Sequence, residues 1–150
     1  MDHLDSDSLH VVLHHVMRYH YYRTHTILEK VGVYPGQPPL LFALWKQNGQ
    51  SQGELAKRLH LQPATITVML RRMEKAQLVE RRHDLDDQRV SRAYLTPKGE
   101  EVRVKVVEAL KTLETECFAG LASEEQALLR RFLLQMRDNL AEACAAAEDG

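Results

Sequence analysis

Apolar positions recur at helical spacing along most of this chain and give way to alternation in one short stretch. Leu9, Leu13, Val16 and Ile27 follow a helical period over about residues 7–31, and Gly32 can supply a left-handed stop. Pro35-Gly36-Gln37-Pro38-Pro39 is a turn into a second helix that carries Leu40, Leu41, Leu44 and Trp45 and stops at Asn48-Gly49. Ser51 and Glu54 form an S-x-x-E capping box, so a short helix follows over 52–59 with Leu55, Ala56 and Leu59 inward. After the break His60-Leu61-Gln62, Pro63 opens a helix that runs to about residue 76 with Ile66, Leu70 and Met73 on one stripe. The period then drops to two. Residues 78–81 read as a strand, 83–88 as a polar loop and 90–95 as a returning strand. Thr96-Pro97 starts a long helix through Val102, Val106, Leu110 and Leu113 to about residue 118. Gly120 breaks it, Ser123-x-x-Gln126 caps the last helix, and that helix carries Leu129, Leu133, Met136, Leu140 and Ala143.

This order predicts a mainly α fold with a small β-hairpin wing: a winged helix-turn-helix flanked by N- and C-terminal dimerisation helices. The chain reads as one domain over 1–150, with the winged lobe at 36–98 and the flanking helices at 7–32 and 97–147. A helix fits the major groove, so the one starting at Pro63 must bury one face and show bases the other. With Ile66, Leu70 and Met73 inward, the outward set is Gln62, Ala64, Thr65, Thr67, Val68, Arg71 and Arg72. Arginine can grip guanine twice, glutamine adenine, and threonine offers a hydroxyl or a methyl. The hairpin carries Arg89 and Arg92 toward the backbone or the adjacent minor groove. Apolar stripes on the last two helices run further than a compact winged helix can cover, which calls for a second copy of the chain.

Charge sharpens the picture. The net charge is only −1, yet residues 57–98 hold ten Lys and Arg against five acids, and from residue 121 onward six acids face three arginines. A basic middle beside an acidic end is expected where only the middle meets phosphate, and with the predicted winged helix the expected partner is double-stranded DNA. No Gly-rich phosphate loop, G-x-S-x-G or paired catalytic signature argues for an enzyme. A winged helix serving only protein contacts is the alternative, and Arg71, Arg72, Arg89 and Arg92 speak against it. Cys117 and Cys144 lack CxxC spacing and read as buried helix thiols. Five of the eight histidines (His10, His14, His15, His20 and His25) fall in the first helix. His10 and His14 share a face, but no established metal pattern accompanies them, so interfacial packing near Tyr19, Tyr21 and Tyr22 is expected and no metal or cofactor. The opening Met1, Asp2, His3 and Asp5 do not resemble a leader, and no apolar run approaches a membrane span, so a cytoplasmic protein without membrane contact is expected.

Several blocks together resemble the MarR family of multiple-antibiotic-resistance-type regulators. They are Glu54-Leu-Ala-Lys-Arg-Leu59, Thr65-Ile66-Thr67, Arg72-Met73-Glu74-Lys75, Leu78-Val79-Glu80-Arg81, Asp84-Leu-Asp-Asp87-Gln-Arg89 and Tyr94-Leu95-Thr96-Pro97-Lys98-Gly99. The resemblance implies a dimeric regulator, usually a repressor, on a pseudo-palindromic operator and released by a small effector. It implies that Asp87 braces the wing arginines and that Arg89 enters the minor groove. Effectors in the family often bind between dimer helices and DNA-binding lobe, which points to His14, His15 and Tyr19. The chain departs from the family at Gln77, where glycine is usual, and at Val68, where a basic residue is common. The first helix also lacks the reactive cysteine of the family's hydroperoxide sensors.

Overall fold

The computed structural model describes residues 7–148, so the opening residues read above for a leader, and Asp149 at the acidic end, lie outside the described residues. The elements run α1 (Leu9–Glu29), α2 (Pro38–Lys46), β1 (Gln50–Ser51), α3 (Gln52–Leu59), α4 (Pro63–Lys75), β2 (Val79–His83), β3 (Ser91–Leu95), α5 (Pro97–Cys117) and α6 (Ser123–Glu148). The fold is mainly helical with a winged hairpin, as the periodicity predicts. The described residues divide into two compact units, the first ending at Leu113 and the second beginning at Glu114, inside α5.

Local chemistry accounts for several helix starts. Ser8 caps α1 by accepting the Val11 N–H. The Ser51–Glu54 box is complete: the Ser51 hydroxyl accepts the Glu54 N–H at 3.1 Å, and Glu54 Oε2 accepts the Ser51 N–H at 2.7 Å. The Ser123–Gln126 pair does not form such a box. Helix α6 begins one residue earlier in hydrogen bonding, with the Gln126 N–H on the Ala122 carbonyl. Glu125, one place closer than Gln126, accepts the Ala122 N–H at 2.8 Å.

The sheet has the order β1-β3-β2, all antiparallel. Strand β2 pairs Val79 with Leu95 and Arg82 with Arg92. The two-residue β1, too short to show alternation, pairs Gln50 with Ala93 and Ser51 with Arg92. Gln50 is buried, and its Nε2 donates to the carbonyls of Ala43 (2.8 Å) and Gln47 (2.6 Å), tying the end of α2 to the sheet.

One apolar cluster joins Leu28 and Val33 to Leu40, Leu41 and Leu44 of α2, Leu55 of α3, Ile66, Leu70 and Met73 of α4, and Val102, Val106 and Leu113 of α5. The α5 stripe, expected to need a partner subunit, is therefore largely covered by its own chain. What the chain leaves uncovered is α6, on which no described side chain is buried, and α1, on which only Ile27 and Leu28 are. Both cysteines are free and exposed, which corrects the expectation of buried thiols: each lies on a helix stretch that its own chain does not cover.

The loop from α4 to β2 departs from ordinary chemistry. Gln77, where the resemblance leads one to expect glycine, has φ +61 and bears the steric cost of the left-handed region. Backbone bonds hold it there: its N–H donates to Glu74 O at 2.9 Å, and its carbonyl accepts the Thr96 hydroxyl at 2.6 Å. Gln77→Gly keeps both bonds and removes the Cβ clash. It is expected to add about 0.5–1 kcal/mol, raising Tm by roughly 1–4 °C in a melting curve. An unchanged or lower Tm would mean that Gln77 is unstrained.

Candidate nucleic-acid interface

Helix α4 is positioned from beneath. Ile66, Leu70 and Met73 are fully buried, and Glu74 at its far end accepts Arg81 of β2 in a salt bridge of 2.8 Å and the Arg81 N–H at 3.2 Å. Lys98 Nζ donates to the Ala76 carbonyl at 3.0 Å, satisfying a carbonyl at the helix C-terminus. The opposite face is open. Gln62, Ala64, Thr65, Val68, Arg71 and Arg72 are exposed, with Ala64, Val68 and Arg71 roughly half a turn from Ile66. Thr67 is half-buried, and its hydroxyl donates to the Pro63 carbonyl at 3.0 Å, which spends its one donor inside the helix.

The wing loop between β2 and β3 is ordered by its own carboxylates. Asp84 Oδ1 accepts the N–H groups of Asp86 (2.8 Å) and Asp87 (3.3 Å), a turn in which a short acidic side chain replaces a backbone acceptor. Asp87 in turn accepts Arg89 at N–H (3.0 Å), Nε (3.1 Å) and Nη2 (3.4 Å). The Arg89 side chain is 91% exposed, and Leu85 of the same loop is fully exposed. An ion pair this open contributes about 0–1 kcal/mol, so exchanging Asp87 for a phosphate costs little. Arg92, expected on the DNA-facing set, is half-buried on β3 against Asp84 and Glu54. Arg82 is exposed and stacks over the Tyr94 ring at 4.6 Å. Sequence reasoning missed Asp84 and gave Glu54 only its capping duty. The Asp-x-Asp-Asp spacing of the loop carried the signal for Asp84.

Three carboxylates here titrate low. The Ser51 N–H chiefly, then Arg92, lowers Glu54; the Arg81 guanidinium lowers Glu74; and the Arg92 guanidinium, with the Asp86 and Asp87 amides, lowers Asp84. Arg92 itself is raised by its hydrogen bond to Asp84. A carboxylate held below its unfolded value stabilises the fold above the ordinary carboxylate range, and that contribution disappears as pH falls through its folded value. Stability is thus expected to be flat near neutrality with respect to these groups and to fall below about pH 4. Glu74→Gln should flatten the acid limb of a denaturant-midpoint-versus-pH plot; an unchanged limb would remove Glu74 from the account.

His14, His15 and Tyr19 are all exposed on α1. The two imidazoles lie 6.3 Å apart, and Arg18 sits 5.6 Å over the Tyr19 ring. None of the three lines the 490 Å³ cavity between the end of α5 and α6. Among the described residues no three His, Cys, Asp or Glu side chains gather as a metal site, and no helix is long and apolar enough to cross a membrane.

A helix braced from beneath with a polar outer face, followed by a hairpin with an exposed arginine, defines a winged helix-turn-helix of the DNA-binding class. Residues 33–91 match the model of the MarR family. The chain is 30% identical over 114 residues to the uncharacterized HTH-type transcriptional regulator YsmB of Bacillus subtilis, covering 76% of this chain and 78% of that protein. It is 32% identical over 98 residues to the HTH-type transcriptional repressor MdtR of Bacillus subtilis, covering 65% and 63% respectively. Its fold matches that of Bordetella bronchiseptica BpsR with a TM-score of 0.76 at 22% identity, over 89% of this chain and 96% of that one. This chain belongs to the MarR family of transcriptional regulators, whose members are not enzymes.

Proposed function

We propose that the chain binds a pseudo-palindromic operator as a homodimer, represses transcription there and is released by a small effector. One observation carries the DNA-binding reading: α4 has its apolar stripe fully buried and Arg71 on the opposite face, while the wing beside it presents an almost fully exposed Arg89. The relative MdtR is named a repressor, and DNA binding by BpsR is described as regulated by 6-hydroxynicotinic acid. These support repression and effector release as the reading for this chain. Gln62, Ala64, Thr65, Thr67, Val68, Arg71 and Arg72 form the base-reading face, with Arg71 foremost because Thr67 has spent its donor on Pro63. Exposed on α1, His14, His15 and Tyr19 enclose an effector only where a second subunit covers that face.

Mobility shifts with genomic fragments, repeated over a salt series, test the reading. Arg89→Ala is expected to weaken binding on all DNA and to flatten the log–log salt dependence by about one unit, the signature of one lost phosphate contact. Arg71→Ala should instead change the preferred base at one position of each half-site, worth roughly 1–3 kcal/mol of discrimination. If Arg89→Ala leaves affinity unchanged on every DNA tried, the wing does not meet DNA.

A further inference from the structure

Arg89 and Arg92 lie three residues apart on the same hairpin, yet they are built for different work. Arg92 Nε donates to Asp84 Oδ2 at 2.5 Å, and its Nη1 donates to the Gly49 carbonyl at 3.1 Å and to Glu54 Oε2 at 3.3 Å. Its side chain is 31% exposed, and that of Asp84 is 18% exposed. From these contacts an unbroken chain of hydrogen bonds can be followed. Glu54 fixes the N-terminus of α3 by accepting the Ser51 N–H, and it also receives Arg92. Arg92 holds Asp84, Asp84 holds the amides of Asp86 and Asp87, and Asp87 holds Arg89 at its backbone and its guanidinium.

We infer that Arg92 is a positioning residue, which sets the wing against the helix-turn-helix and places Arg89 for DNA through Asp84 and Asp87 without touching DNA itself. The inference rests on the DNA-binding reading above. Two carboxylates already neutralise Arg92, so it offers a phosphate little field. Drawing it out would also leave Asp84 half-buried without its counter-charge, and a carboxylate in that state is costly. Arg89 has one well-solvated partner and gives it up cheaply. The fork of the guanidinium is essential to the brace, because Asp84 and Glu54 lie on different elements and are reached by different nitrogens.

The test compares Arg92→Gln and Arg92→Lys with Arg89→Ala and the double variants, all in the 150-residue chain. Amide hydrogen exchange in the absence of DNA reads the brace directly. Exchange at Asp86 and Asp87 is expected to rise about tenfold or more in both Arg92 variants, with protection in α2 and α4 unchanged. On the operator fragment both variants should bind about tenfold more weakly with an unaltered salt slope, and neither should weaken Arg89→Ala much further. Lysine keeps a charge that could serve a phosphate, so a near-native Arg92→Lys with a flatter slope for Arg92→Gln would make Arg92 a DNA contact and overturn the inference. Unchanged exchange at Asp86 and Asp87 overturns it as well. Should Arg92→Gln fail to fold, Asp84→Ala, at the next link, must show the same two changes. If the wild-type chain retards no DNA, the DNA-binding reading fails while the exchange measurement still decides the brace.

Discussion

Gly99→Ala is expected to cost this fold about 3 kcal/mol or more, lowering Tm by roughly 6–12 °C. A Cβ on Gly99 would stand 2.1 Å from the Leu78 carbonyl oxygen and 3.1 Å from its carbon, and both are backbone atoms that no rotamer change can move. The surroundings are pinned. The Leu78 carbonyl accepts the Thr96 N–H at 3.1 Å, the Thr96 hydroxyl oxygen accepts the Gly99 N–H at 3.0 Å, and Trp45 Nε1 donates to the Gly99 carbonyl at 2.9 Å. Any shift of α5 that relieves the clash stretches these bonds at the junction of α4, the wing and α5. The same change at Gly53, inside α3, provides the control. A Cβ there meets only the Ser51 hydroxyl at 3.9 Å, so Gly53→Ala should stabilise by about 0.5–1 kcal/mol through helix propensity. Opposite signs from one chemical change, read as denaturant midpoints, would establish that space at Gly99 sets the cost. Equal effects would dismiss the close approach.

Gly99 also shows where the sequence was legible and where it was not. The helical periods, the Ser51–Glu54 box, Pro63 at the start of α4 and the buried Ile66-Leu70-Met73 stripe all follow from local rules, because each involves residues within about two turns of one another. The hairpin was legible for the same reason, with boundaries off by up to two residues. The long-range contacts were not. Arg92 is 43 residues from the Gly49 carbonyl and 38 from Glu54, and no periodicity links such positions, so its contacts with them could not be read from the pattern. Strand β1 was missed because two residues cannot show alternation, and its pairing partner lies more than forty residues away. The α5 stripe was read correctly as apolar, but pattern alone does not say whether the covering surface belongs to the same chain or to another.

The last expectation follows from what this chain leaves uncovered. Helix α6 runs 26 residues with no described side chain buried, and Leu128, Phe132, Leu133 and Leu140 are 44–63% exposed. A helix with so much of its apolar face exposed is marginal in water, because most helical stability in proteins comes from tertiary burial. Helix α1 repeats the problem, with Val16, Met17, Tyr19, Tyr21 and Tyr22 all exposed. At about 1.5–3 kcal/mol per large side chain fully buried, covering even the partly exposed set on α6 would contribute a sizeable share of a small protein's stability. A second copy related by a two-fold axis would supply that cover for both subunits at once. DNA recognition asks for the same arrangement, since two α4 helices about 34 Å apart would reach successive major grooves of a two-fold operator. Leu133→Glu with Leu140→Glu is therefore expected to convert a dimer into monomers or to unfold the chain, and in either case to abolish operator binding. Sedimentation equilibrium at micromolar concentration reads the first part, and mobility shift reads the second. A wild-type chain that sediments as a well-folded monomer and still binds its operator tightly would refute the dimer.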